Sequence, residues 1–296
     1  MAKITAFSTL AFSKDTLDVA LKHIASFGFK KVELAHMEFY CRHYPLESVN
    51  PEHVRELLGY YGITPVSINF FTGKGKATNG VFDEVYMHKL NIKSQAAEYI
   101  ARVKKLLDYA KLTGIPTVLI PGGARSEAPD RDEEMKAAAE VLNRLADYAK
   151  SFRVRIAVEM PHVYTLYNNI ERAEQMLSYF KSDNLGVLLC ATHWHVLGYD
   201  PDEYIKLLGR KLWHVHMRDA AGADTGNFKT KLEITPGKGE VDFKRLAGAL
   251  DKSGYEGEIV LEPEYQVYES VDEVDGEIRF GINYLKKLGL KFDEGI

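Results

Sequence analysis

The stretch LWHVHMRDAAG, residues 212–222, reads as a buried strand that ends in chemistry. His214 and His216 alternate with the apolar Trp213, Val215 and Met217. A strand turns successive side chains to opposite faces, so this spacing puts both imidazoles on one face. Arg218 and Asp219 follow at the C-terminal end. Three other strand-like runs end comparably: RIAVEMPH with Glu159 and His162, LGVLLCATHWH with Cys190 and His193, and EIVLEPE with Glu262 and Glu264. Four consecutive strands thus each bring a candidate metal ligand or acid/base group to one end.

The rest of the chain extends the same rhythm. Strand-like runs KITAFS, KVELAH, TPVSINF and PTVLIPGG precede those four. Helical patterns are expected near 16–27, after Pro51, at 91–113, 131–150 and 169–180, after Pro201, and at 242–252 and 272–288. Asn50 before Pro51 has the form of an N-cap with proline at the first helical position. Ala97, Ile100, Val103, Leu107 and Ala110 form the expected buried stripe of the long third helix. The TGKGKATNG segment, residues 72–80, reads as a solvated loop, since it lacks phosphate-loop spacing. Eight β-then-α units, with Val/Ile/Leu-rich strands and no linker, predict an α/β fold, a single (β/α)8 TIM barrel spanning 1–296. A doubly wound sheet fits less well, because no glycine-rich fingerprint follows the first strand.

Composition narrows the class. The 296 residues are 46% hydrophobic and 27% charged, with a net charge of −4. That balance gives no basic footprint for nucleic acid. Cys41 and Cys190 form neither a metal knuckle nor a disulfide framework. Without a signal-like N-terminus or a membrane-length apolar run, a cytoplasmic location is expected.

In a barrel of this kind, chemistry sits where the strands end. Glu159 and Glu262 follow the apolar runs IAV and IVL, where an unpaired carboxylate is costly to bury. Structural ion pairs are the bland alternative. His216 beside two glutamates suits a divalent metal, whereas His214 lies deeper on the same face and suits a structural role. His193 is expected in the site; His162 and His195 are undecided on the residues alone. Glu33 and His36 end the second strand and can line the pocket. His23, His53 and His88 are expected on helix surfaces.

The motifs VEMPH, LLCATHW, HVHMRD, TPGKGEVDF and IVLEP resemble the xylose isomerase-like barrel family, which includes sugar phosphate isomerases and epimerases, inosose-handling enzymes and the endonuclease IV group. The resemblance covers essentially the whole chain. It implies one divalent metal, Mn, Mg, Zn or Fe, on Glu159, His216, Glu262 and the position of Cys190. The family has an aspartate at that last position. A thiolate there shifts the preference toward zinc or iron; a buried inert thiol would instead leave three ligands and an open position. The resemblance also implies that His193 contacts substrate.

A metal site of this kind implies proton abstraction next to a carbonyl, with an enediolate stabilised by the metal. Glu159 and Glu262 are then the catalytic base and acid. His193, Arg218, His162, Trp194 and Glu33 are expected to bind substrate, and Phe7, Phe70 and Trp194 to give an apolar wall. The segments 38–44 and 220–240 are lid candidates. The partner is a small carbohydrate, with no nucleic acid and no membrane, and a homo-oligomer is left open. Three rivals stand beside this reading. One is a dehydratase or lyase on a keto-sugar or inosose; a second is a non-catalytic sugar-binding protein with a degenerate metal site. The third, an abasic-site endonuclease, is disfavoured, because its extra ligand positions offer Asn69, Pro121, Lys231 and Glu233.

Overall fold

The computed structural model describes residues 2–37, 41–43, 46–71, 75–78, 81–85, 90–91, 93–126, 131–223, 231–265 and 267–296. Among the described residues, eight parallel strands close a barrel. They are β1 Ala6–Ser8, β2 Lys31–Met37, β3 Thr64–Phe71, β4 Thr117–Ile120, β5 Arg155–Glu159, β6 Leu185–Cys190, β7 Leu212–Met217 and β8 Glu258–Leu261. Each pairs with its sequence neighbour, and β8 closes on β1 with Val260 opposite Ala6 and Leu261 opposite Phe7. The (β/α)8 expectation holds.

Helices cover the outside: α1 Leu17–Ser26, α2 Pro51–Tyr61, α3 Lys93–Thr113, α4 Arg131–Lys150, α5 Ile170–Ser178, α6 Ala191–Leu197, α7 Pro201–Leu208, α8 Phe243–Ser253 and α9 Val271–Lys287. Asn50 caps α2 by accepting from the Glu52 amide at 2.9 Å, and Pro51 follows it into the first turn. The short helix α6 is new relative to the sequence reading. It begins directly after Cys190, and so turns ATHWH from a strand end into a helical turn.

Alternation along the strands divides the side chains into two sets. Outward residues such as Val158, Leu189, Val215 and Leu261 join the large core beneath the helices. Inward residues form small apolar patches, Ala6 with Val66 and Val260, and Leu119 with Ala157 and Leu188. The polar inward residues occupy the remaining interior. This parity corrects the expected apolar wall. Phe7 packs outward on Phe29 at 5.0 Å between ring centroids, and Phe70 on Tyr99 at 6.0 Å.

Two segments differ from their sequence reading. Gly75–Thr78 and Val81–Val85 pair as an antiparallel ribbon rather than forming a loop. The Asn79-Gly80 dipeptide between them is a strong hairpin signal that the phosphate-loop comparison passed over. In the stripe of α3, Ala97 is exposed, while Tyr99, Val103, Leu106, Leu107 and Ala110 are buried. His88, and parts of both lid candidates, lie outside the described residues. Among the described residues no helix is long and apolar enough to cross a membrane.

Candidate active site

Beyond β7 the chain is pinned by Asp219. Its carboxylate accepts four backbone amides, from Ala220 and Val241 on one oxygen and from Gly237 and Gly239 on the other, at 2.8–3.0 Å. This accounts for the glycines of TPGKGE. A Cβ on Gly237, whose φ is +95°, would meet the Tyr284 ring at 2.5 Å, and one on Gly239 would meet Asp219 at 2.3 Å. Asp219 is therefore spent on holding the loop that follows the site.

Among the described residues, two clusters of titratable groups occupy the barrel. The lower one centres on Glu33, which is 0% exposed. Its Oε2 lies 3.0 Å from His214 Nε2, 3.0 Å from His216 Nε2 and 2.7 Å from Ser67 Oγ. Burial alone would raise this carboxyl, but the neighbouring His216 and His214 hold it well below the usual carboxylate range. His214 thus has the structural place expected for it. Glu33 lies beneath the histidines and does not line the pocket.

The upper cluster lies at the strand ends. Glu159, Cys190 and His216 each place a donor atom within 4.8 Å of the others, and so do Glu159, His162 and His193. Glu262 joins through His216, with its Oε2 3.0 Å from Nδ1. Its other oxygen accepts from Asn69 Nδ2 at 2.6 Å. Arg218 is buried between Glu264, to which it is paired, and Thr192 Oγ1 at 3.2 Å, with Nη2 3.8 Å from Cys190 Sγ. Glu264 was a candidate strand-end group in the sequence, and its role here is to pair Arg218; Asn69 was named only for the endonuclease rival, and Thr192 was not singled out. For Asn69 and Glu264 the usable signal was strand parity: each sits two residues beyond an inward position.

The electrostatics follow from burial. Glu159 is pushed up to about 7, chiefly by desolvation, with Glu262 and Glu264 adding to the rise and His216 and Arg218 opposing it. His162 falls to about 3, from burial and then Arg218. His193 falls well below its usual value, from burial and then His162. Their rings are 3.8 Å apart, and their Nε2 atoms face the two Glu159 oxygens at 3.7 and 3.5 Å. His162 Nδ1 accepts the Tyr164 amide at 3.2 Å, so its proton sits on Nε2. For His216, burial would lower the affinity for a proton, but the charges of Glu262 and Glu33 push it well above the usual value.

The donor set suits a divalent cation. Among the described residues, His216 Nδ1 and Glu262 Oε2 are both buried without a hydrogen-bond partner, although they are only 3.0 Å apart. Two ligands of one ion, each about 2.1 Å from it, stand about 3.0–3.4 Å apart, so this spacing matches neighbouring ligands.

Other predicted residues fall elsewhere. Trp194 donates from Nε1 to the Tyr199 carbonyl at 2.7 Å and packs in the outer core, so it is no part of the pocket. The aromatic rings recorded beside the cluster include Phe71 and Tyr164, with centroids 6.4 and 5.6 Å from that of His162. His36 faces Glu47 at 3.2 Å and Phe70, away from the cluster. His195 lies 3.7 Å from Glu240. His53 is on an exposed helix surface, whereas His23 is half-buried, 3.0 Å from Asp275.

Comparison with known proteins agrees with this architecture. An inosose isomerase of Bacillus subtilis (strain 168) is 26% identical over 172 residues, which is 57% of this chain and 62% of that protein. An inosose dehydratase of Clostridium perfringens is 27% identical over 144 residues, 45% of this chain and 48% of that protein. The chain thus spans less than two thirds of the length of either relative. A crystal structure of the IOLI protein with a bound zinc atom superposes with a TM-score of 0.76 at 20% identity, covering 97% of this chain and 99% of that one, and shows the shared fold. The family model for the xylose isomerase-like TIM barrel matches residues 21–288, and the chain belongs to that family.

Proposed function

We propose that residues 1–296 form one catalytic domain, a divalent-cation-dependent sugar isomerase or epimerase. Its reaction moves a proton at the carbon beside a carbonyl of a ketose, sugar phosphate or inosose. The observation that carries this reading is Glu159, whose oxygens meet Cys190, His216, His162 and His193 in one cation-competent cluster at the strand ends. A carboxylate so placed can take and return a substrate proton. The inosose isomerase relative and the zinc-bound neighbour support the reading.

Glu159, His216 and Glu262 would hold the cation. Cys190 turns its sulfur into the same cluster, which favours it as the fourth donor and favours zinc or iron over manganese or magnesium. A cation held there supplies Lewis acidity that draws electron density from a carbonyl. Glu159 accepts the proton from the neighbouring carbon. His162 and His193, kept neutral, orient substrate hydroxyls without competing for that proton. Glu262 stands as the second acid/base group, held by Asn69. Arg218, fixed by Glu264 and Thr192, holds positive charge beside Glu262 at 3.7 Å.

The test is solvent exchange in deuterated water with a panel of ketoses and inososes. Deuterium is expected at the carbon beside the carbonyl, and loss of water from an inosose would mark the dehydratase variant of the same chemistry. No exchange with any member would overturn the reading.

A further inference from the structure

We infer that Glu33 is a positioning residue: it accepts a hydrogen bond from His216 Nε2–H, keeps the proton on that nitrogen and so leaves the Nδ1 lone pair facing Glu159, Cys190 and Glu262. This inference rests on the cation-dependent reading above. A neutral imidazole carries one proton, and only the nitrogen without it can hold a cation. His216 stands between two carboxylates that compete for that proton. Glu262 approaches Nδ1 at 3.0 Å but is not aligned for a hydrogen bond. Glu33 approaches Nε2 at 3.0 Å and is aligned.

The arrangement around Glu33 fixes the outcome. A carboxylate oxygen only accepts, so Ser67 Oγ, His214 Nε2 and His216 Nε2 all donate to the same Oε2. Three donors converge on one fully buried oxygen and fix its position, while Oε1 has no partner among the described residues. His214 therefore anchors Glu33, and Glu33 sets the tautomer of His216. A carboxylate behind a ligand imidazole also makes the ring a stronger donor. If Glu33 were neutral, the His216 proton would move toward Glu262 and block Nδ1.

The experiment is a zinc titration of the full chain against a chromophoric chelator, for the unaltered protein, Glu33→Gln and Ser67→Ala. Long-range proton–nitrogen NMR of the zinc-loaded protein reports which His216 nitrogen carries hydrogen. The expected result is Nε2–H with zinc on Nδ1, and zinc affinity about 10–100-fold weaker in Glu33→Gln. Ser67→Ala, which keeps the charge and both imidazole bonds, should weaken zinc less than Glu33→Gln does. Unchanged affinity in folded Glu33→Gln, or zinc on Nε2, would overturn the inference. If Glu33→Gln does not fold, the NMR assignment on the unaltered protein decides alone. An unaltered protein that takes up no zinc, manganese or iron would instead overturn the cation reading itself.

Discussion

The two histidine–carboxylate clusters of this barrel share His216 and differ in almost everything else. Around Glu33 the contacts are 2.7–3.0 Å and the carboxyl is 0% exposed. Around Glu159 the contacts are 3.5–3.7 Å, the side chain is 12% exposed, and His193 Nδ1 lacks a partner among the described residues. The first carboxylate is held down by its donors; the second is left with raised proton affinity. Glu33 commits one oxygen to three close donors, which fits a positioning role, whereas Glu159 is loosely paired and open to a ligand.

The largest effect expected from breaking this contrast is at the loose end. Glu159→Gln should lower the exchange rate by at least about 100-fold, the usual worth of a general base. In cation-free protein its unfolding midpoint should move by less than about 3 °C, because the 3.5–3.7 Å contacts include no tight bond. Isotope exchange and a thermal melt check both. At the closed end the balance reverses. Glu33→Leu should cost about 3–5 kcal/mol in denaturant unfolding, since it strands Ser67 and two imidazoles in the interior.

A third test uses a histidine outside both clusters. His43 is held at about 4 by burial, against 6.5 for the free side chain, with Thr9 Oγ1 3.1 Å away. Its native value is depressed, so the unfolded chain binds more protons below pH 6.5. Its stabilising contribution is complete above that value and is lost as pH falls toward about 4, by up to about 1.4 kcal/mol per unit. His43→Gln should flatten the stability–pH curve in that window, as read by denaturant unfolding. The smallest effect is expected at Trp194→Phe. It forfeits one hydrogen bond to Tyr199, about 1 kcal/mol, and should leave KM unchanged. A raised KM would return Trp194 to the pocket.

How much of this was legible in the sequence follows from periodicity. The HVH strand announced itself by chemical alternation, and the IAVE and IVLE strands by short apolar runs that end in a carboxylate. Glu159, His216, Cys190 and Glu262 could be placed together on that basis. Phe7, Phe70 and Trp194 could not, because an aromatic ring satisfies either face, and only closure of the barrel assigns one. The role of Glu33 was hidden for a different reason. Its partners His214 and Ser67 are distant in sequence, and no local spacing ties β2 to β7. Helix α6 was masked by the apolar run that precedes it.

The proposal of a cation-dependent acid/base site in the upper cluster stands or falls on elemental analysis of protein purified without chelator, beside Cys190→Asp. About one divalent ion per chain is expected, zinc or iron in the unaltered protein, with a shift toward manganese in the variant. Absence of bound metal in both, even after dialysis against zinc, iron and manganese, would contradict it.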